Sequence, residues 1–239
     1  MASVFRSANA GRQVCQHDLL GGLLRGYQEH FQVAGIEQIP VIHRASDLEI
    51  PATLTAFNSR SESTDARGSA IHFYKSDAKL VSVVANPLPW ILKFESFGAV
   101  ISPDLSLSCQ MAPWQRVKNT VYSRAVGAVW QAHGLKVIPS IRWACPADYD
   151  FVSEGIPQGS VLSFGAHGTY RDLEKRWVFE HGVEAMLERL SPTAVLMYGR
   201  VDPKFLDRTR TKVQVFNYLK SNLADSGDRQ VSSNENSLW

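Results

Sequence analysis

The stretch FGAVISPDLS, residues 97–106, combines the features that predict the fold. Gly98 ends a helix that starts at Pro87, and the apolar run 99–101 is short enough for one buried strand. Pro103 has no amide hydrogen to extend a strand, so the chain turns there. Asp104 is therefore expected at the carboxyl end of a central strand.

The same order of helix, glycine, apolar strand and polar turn recurs along the chain, which predicts an α/β protein. Helices between successive strands require parallel pairing through right-handed crossovers. About six or seven strand candidates follow Ile39, fewer than the eight of a complete barrel. We predict an irregular or incomplete (β/α) barrel with parallel strands, with an open doubly wound sheet as the alternative. Predicted strands are 39–42, 53–57, 70–74, 99–101, 135–141, 160–164 and 194–198; predicted helices are 87–97, 114–133, 148–154 and a long helix between 168 and 190.

Changes in composition divide the chain into four segments. Residues 1–38 are predicted to be an N-terminal extension, and residues 39–200 the α/β core domain. Residues 201–220 are predicted to hold a last helix, from Phe205 to Lys220. Residues 221–239 have the composition of a disordered tail.

Composition indicates an ordinary globular protein, because 44% of the residues are hydrophobic and 20% are charged. The net charge of +2 gives no general case for nucleic acid or membrane as a partner. Cys15, Cys109 and Cys145 are widely separated and lack the spacing of a zinc site, so we expect reduced thiols and no metal. No apolar stretch has the length of a signal peptide or a membrane helix, which favours a cytoplasmic location. We expect no cofactor, and the oligomeric state is left open.

Ligands of parallel α/β proteins bind at the carboxyl ends of the strands, and that rule selects the candidate site. Asp104 is the only carboxylate selected and is the candidate base or nucleophile. The alternative is that Asp104 caps the amides of residues 106 or 107. The candidate substrate-binding residues follow later strands: Arg142, Trp143, Gly165, His167, Gly168 and Arg200.

Each of these residues has a chemical rationale and a structural alternative. Trp143 could stack on a base or could belong to the rim of the core. His167 could donate to an anion or could be a surface-loop residue. Gly165 and Gly168 could form a phosphate-binding turn with Arg200, although they match neither common glycine-rich phosphate motif and could serve the turn alone.

Charge is unevenly distributed, because residues 105–146 contain no Asp or Glu where the chain average predicts about four. Arg116 and Arg124 lie eight positions apart on one face of the predicted helix, with Lys118 nearby. Such a face would suit a nucleic-acid backbone, and the alternative is an ordinary solvated helix face.

Several motifs in order resemble the domain-of-unknown-function family 4417. They are residues 99–106 (AVISPDLS), 136–143 (KVIPSIRW), 155–161 (GIPQGSV) and 198–199 (YG). The resemblance covers roughly Phe57 to Arg200 and implies a phage or mobile-element setting, without an activity. It departs at Lys75-Ser76-Asp77, where the family usually has adjacent acids, so a second carboxylate role is in doubt.

A looser likeness, in motif order only, is to base-exchanging transglycosylases of the barrel class. It leads to the hypothesis of an enzyme that acts on a nucleotide or a nucleic-acid base, with Asp104 at the reaction centre. The alternative is a non-catalytic module that binds DNA or a host protein through the face around Arg116. Metal-dependent hydrolysis is disfavoured because no second carboxylate or histidine clusters near Asp104 in sequence.

Overall fold

Strands and helices alternate through residues 32–219, the part of the chain that the computed structural model describes. The strands are β1 (Val33–Ala34), β2 (Ile39–Pro40), β3 (Thr53–Ala56), β4 (Ser69–His72), β5 (Ala99–Ile101), β6 (Val137–Ile138), β7 (Val161–Gly165), β8 (Ala194–Tyr198) and β9 (Gln214–Tyr218). The helices are α1 (Asp77–Ala85), α2 (Leu88–Phe94), α3 (Pro113–Ala132), α4 (Tyr149–Ser153), α5 (Leu173–Leu190) and α6 (Pro203–Arg210).

Strand order follows the chain. β3, β4, β5 and β6 form one parallel sheet, and β7, β8 and β9 form a second. Neither sheet contains the reversal of strand order that defines a doubly wound fold. The predicted α/β class with parallel strands is confirmed, and the doubly wound alternative does not describe these sheets. The short β1 and β2 form a separate antiparallel pair.

Among residues 32–219, the backbones of the two sheets pair at one position, a parallel bridge between Ser140 and Ser163. The amide of Ile141 donates to the Ser163 carbonyl at 3.0 Å, and the Ser163 amide donates to the Pro139 carbonyl at 3.0 Å. A longer ladder would need residue 139 to donate to the carbonyl of Val161, and a proline has no amide hydrogen. Pro139 therefore accounts for the end of the pairing on the N-terminal side of the bridge.

One face of both sheets packs into a shared apolar cluster. The cluster draws on strands at both ends of the strand order, including Leu54 of β3 and Tyr218 of β9. The Tyr218 hydroxyl donates to the carbonyl of Pro51, just before β3, at 2.6 Å. No backbone ladder joins β9 to β3 within residues 32–219, so the strand pairing itself does not close. The other members of the cluster are Ala70, Tyr74, Ala99, Ile101, Ile138, Leu196 and Tyr198.

The predicted last helix is wrong in its second half. Helix α6 ends at Arg210, and the chain then forms β9, which pairs in parallel with β8 over five residues. Val215 and Tyr218 are buried by this pairing, and apolar aliphatic and aromatic residues of this kind fit a half-buried strand better than a helix end. The predicted N-terminal extension lies mostly, and the predicted tail entirely, outside the described residues.

The two long helices differ in how well hydrophobic spacing predicts their inner faces. In α5 apolar spacing predicts an inner face of Phe179, Val183, Met186 and Leu190, and all four are buried. In α3 apolar spacing predicts an inner face that begins at Trp114, and this is wrong because Trp114 is 64% exposed. The inner face of α3 instead carries polar and small residues, among them Arg116, Thr120, Ser123, Arg124 and Gly127.

Candidate functional site

The carboxyl ends of β4 to β8 surround a cavity of about 430 Å³, which we call the strand-end crevice. Its wall is mostly polar and carries more cationic than anionic side chains. The residues that line it are Tyr74, Lys75, Ser76, Lys79, Asp104, Ser106, Arg142, His167 and Tyr198.

Asp104 and Arg142 form an ion pair in this wall. The Arg142 Nε donates to both carboxylate oxygens of Asp104, at 3.0 and 3.1 Å, and its Nη2 donates to Oδ2. The Ser140 hydroxyl adds a bond to Oδ1 at 3.2 Å. The Asp104 side chain is 4% exposed and that of Arg142 is 32% exposed, so Arg142 is the more accessible partner of the pair. Two-point contact of this kind fixes a carboxylate firmly.

The capping alternative for Asp104 does not hold, because the amide of Ser106 donates to the carboxylate of Asp77 at 3.1 Å. The Ser106 hydroxyl donates to the same carboxylate at 3.0 Å, so Asp77 holds the loop that follows β5. Burial alone would lower the pKa of Arg142, but the Asp104 carboxylate raises that pKa above its ordinary value. Arg142 is therefore a permanent cation at neutral pH.

A second guanidinium lies beneath the pair. Arg124 is 1% exposed, and it donates to the carbonyls of Ser140 at 2.8 Å and Val152 at 2.9 Å. Among residues 32–219 it has no carboxylate partner, and its Nε has no hydrogen-bond acceptor. Burial lowers the pKa of Arg124 to about 9, so it also carries charge at neutral pH. Arg124 and Asp104 line the same small pocket.

Tyr74 forms the floor of the crevice and was not predicted from sequence as a site residue. Its ring stacks on Tyr198, with centroids 4.7 Å apart, and its hydroxyl is 2.6 Å from that of Ser163. Burial first, and the Asp104 charge second, raise the pKa of Tyr74, which keeps the phenol protonated. A Cβ on Gly165 would lie 2.8 Å from the Tyr74 ring and 3.1 Å from Arg142 Nη2. The absence of a side chain at Gly165 thus makes room for both groups.

A second cavity of about 660 Å³ adjoins the crevice and shares Ser106, Arg142 and His167 with it; we call it the side groove. The exposed side chain of His167 lines both cavities. Gly168 has a positive φ of 80° at the start of a short 3-10 helix, so it serves the turn. Arg200 is exposed and lines neither cavity.

Trp143 adopts its structural alternative. It is 8% exposed, its Nε1 donates to the carbonyl of Val178 at 2.9 Å, and its ring packs against Phe164 and Phe179. A Cβ on Gly182 would come within 2.0 Å of the indole, so helix α5 lies directly against it. The indole is held as part of the core rim, although it borders the side groove.

The predicted exposed basic face of α3 does not form. Arg116 is 8% exposed and pairs with Asp148, Nε to Oδ1, at 2.9 Å, and Arg124 is buried as described. Lys118 is exposed, with its Nζ above the rings of Trp114 and Tyr122. The spacing of Arg116 and Arg124 does place them on one face, but that face is turned toward the sheet.

The part of the chain that the structure describes contains no cluster of three metal-ligating side chains and no helix that could span a membrane. The groups that line the crevice are mainly cationic and hydroxyl groups, with the imidazole of His167 beside them. The crevice wall presents the Arg142 guanidinium, with Lys75 and Lys79 beside it, and its only acid, Asp104, is paired.

Fold and site together define a parallel α/β protein with a cationic crevice at the carboxyl ends of its strands. The chain belongs to the family described as "Domain of unknown function (DUF4417)", whose model matches residues 31–218.

Relatives of the chain come from mycobacteriophages. It is 32% identical to the Gene 1 protein of Mycobacterium phage D29 over 154 residues, which cover 64% of this chain and 57% of the phage protein. It is 31% identical to the Gene 1 protein of Mycobacterium phage L5 over 173 residues, which cover 72% of this chain and 75% of that protein. The chain thus spans little more than half of the D29 protein. No solved structure matches the chain.

Proposed function

We propose that this phage-type protein is an enzyme that acts on a nucleotide or a nucleic-acid base, and that the strand-end crevice binds the phosphate of its substrate. The observation that carries the proposal is Arg142, which lines the crevice and whose guanidinium is held in a fixed orientation by Asp104. A planar guanidinium with fixed orientation is well suited to two-point binding of phosphate. Lys75 and Lys79 add positive charge on the same wall.

The reaction centre that we propose is Asp104, acting as base or nucleophile once substrate is bound. Base exchange of the transglycosylase type is the reaction that the order of motifs favours. The adjoining side groove has room for a second part of the substrate, since its 660 Å³ exceeds what a single base needs. His167, at the junction of the two cavities, is the proposed second contact to substrate.

For the fold, we propose an incomplete barrel of the seven parallel strands β3 to β9. Support comes from the sequential strand order, the apolar cluster shared by both sheets, and the bond from Tyr218 to Pro51. An arrangement of this kind gathers the carboxyl ends of the strands around one site.

The alternative, a non-catalytic module that binds DNA or a host protein, rested on an exposed basic face around Arg116. Arg116 and Arg124 are buried, so the face that was to meet nucleic acid is not available. For a binding module that uses the crevice, the catalytic test below separates that function from an enzyme.

Binding of 5′-nucleoside monophosphates to the full chain, measured by calorimetry, tests the proposal. We expect affinity that falls as salt increases and that Arg142→Gln lowers by about tenfold or more. Arg189→Gln is the matched control, because Arg189 also pairs with an aspartate, Asp150 at 2.8 Å, but lies at the far end of α5. Equal losses in the two variants, or no binding by the unaltered chain, would overturn the phosphate site.

Release or exchange of a base is then measured by chromatography of nucleotides and oligonucleotides incubated with the protein. Asp104→Asn should abolish turnover while the variant still binds nucleotide. If the unaltered chain binds nucleotide but releases no base, or if Asp104→Asn turns substrate over at the same rate, Asp104 is not the reaction centre.

A further inference from the structure

Arg124 poses a problem that protein stability alone does not explain. Its guanidinium is fully buried, it pairs with no carboxylate among residues 32–219, and its Nε is without an acceptor. Burying a cation is costly unless a nearby negative charge compensates for it. The acid that shares a cavity with Arg124 is Asp104.

Ser140 links the two groups directly. Its carbonyl accepts from Arg124 Nη1 at 2.8 Å, and its hydroxyl donates to Asp104 Oδ1 at 3.2 Å. Arg142 therefore binds Asp104 directly, whereas Arg124 is separated from Asp104 by Ser140. Two guanidinium groups and one carboxylate thus line the same small pocket, which leaves an excess positive charge among the residues that line it.

We propose that substrate phosphate takes over the Arg142 guanidinium from Asp104, and that Arg124 and Ser140 retain the released carboxylate in place. This ion-pair exchange rests on the proposed function and adds a means of regulating it. Without phosphate, both oxygens of Asp104 are bonded to Arg142, so the carboxylate is not free to act. A phosphate-bearing substrate thus frees its own base or nucleophile, whereas a nucleoside without phosphate leaves it bound.

The difference in exposure supports the direction of the exchange. A ligand that enters the crevice meets Arg142, at 32% exposed, before Asp104, at 4%. Phosphate can offer the same two-point contact to a guanidinium that a carboxylate offers. Arg142 is the more exposed partner and can change partner, while Asp104 keeps the Ser140 bond in the pocket that Arg124 also lines.

The first test is nuclear magnetic resonance of the full chain with labelled arginine Nε and aspartate carboxyl carbons, titrated with inorganic phosphate. Exchange predicts that phosphate shifts the Arg142 Nε and Asp104 carboxyl signals together, while the Arg124 Nε signal changes little. Phosphate that binds without moving the Asp104 signal would overturn the exchange and leave the phosphate site intact. A chain that binds no phosphate would overturn the proposed function as well, so the two failures are distinguishable.

The second test is phosphate affinity in variants. Asp104→Asn removes the competitor for Arg142 and should raise the affinity on the order of tenfold, whereas a carboxylate that merely orients Arg142 would give a loss. Asp77→Asn is the matched control, since Asp77 is an acid near Arg142 that bonds Ser106 instead. A gain in the Asp77 variant equal to that of Asp104→Asn would reduce the effect to net charge and refute the exchange.

The third test uses variants of Arg124. Arg124→Met should weaken phosphate binding, because exchange then leaves Asp104 without compensation, and the loss should vanish when Asp104→Asn is also present. Equal losses in both backgrounds would refute the role of Arg124. If Arg124→Met fails to fold, Arg124→Lys takes its place: this variant keeps the charge and should bind phosphate within a few-fold of the unaltered chain.

Discussion

The ion pair between Arg116 and Asp148 gives a direct test of whether the basic residues of α3 are structural. Asp148 is fully buried and accepts three bonds: from Arg116 Nε at 2.9 Å and from the amides of Ala144 at 2.8 Å and Cys145 at 3.4 Å. Asp148→Ala would remove the carboxylate acceptor from two amides and from a guanidinium whose side chain is 9% exposed. Removing one partner of a buried pair costs roughly 3 to 5 kcal/mol. At about 2 to 4 °C per kcal/mol for a chain of this size, the Tm should fall by roughly 10 °C.

Urea denaturation followed by circular dichroism measures this loss, and Asp150→Ala is the control. Asp150 pairs with Arg189 at a similar distance, 2.8 Å, but its side chain is 84% exposed, so its loss should cost at most about 1 kcal/mol. Arg116→Met with Asp148→Ala should cost clearly less than the sum of the two single changes. A loss below 1 kcal/mol for Asp148→Ala would refute the burial of this face and restore Arg116 as a candidate for nucleic-acid contact.

Three further predictions concern other parts of the molecule. Gly182→Ala should destabilise the protein by about 1 to 3 kcal/mol and change its tryptophan emission, because a Cβ there overlaps Trp143; unchanged emission would contradict this packing. Burial, and after it the charge of Glu37, raise the pKa of Glu154 in the folded protein. The stability that Glu154 contributes is therefore present below its unfolded pKa of about 4.5. That stability is lost as the pH rises through the higher pKa of the folded state. Glu154→Gln should therefore raise the Tm at pH 8 but not at pH 4, and equal effects at both would count against it. Gly165→Ala should weaken nucleotide binding in calorimetry more than it lowers the Tm, because its Cβ meets the crevice groups; normal affinity would contradict that geometry.

The backbone of the site was predictable because it depends on local chemistry. Pro103 cannot continue a strand, which places Asp104 at the strand end, and β8 occurs at the predicted residues 194–198. The helix residues Phe179 and Val183 were predictable from their apolar spacing. In each of these cases the determining signal lies within a few residues of the element.

The parts that were not predictable depend on contacts between distant segments. Spacing shows that Arg116 and Arg124 share a helix face but does not show which way the face points, because the partner that buries Arg116 lies 32 residues further on. The space for Tyr74 is provided by Gly165, on a strand that pairs in the other sheet. β9 was mistaken for the end of a helix because its apolar residues are compatible with either period until β8 is present beside them.

The buried arginines of α3 show how stability and function can be separated within one element. Arg116 has a buried carboxylate and a carbonyl as partners, so its charge is compensated where it lies. Arg124 lies two turns along the same helix, and its acceptors among residues 32–219 are carbonyls alone. An apolar side chain of equal volume would avoid the cost of burying its charge. Because local packing does not offset the cost of burying this charge, we infer that Arg124 has a role other than packing. The acid that lines a pocket with Arg124 is Asp104, and the guanidinium partner of Asp104, Arg142, also lines the crevice where a ligand can enter.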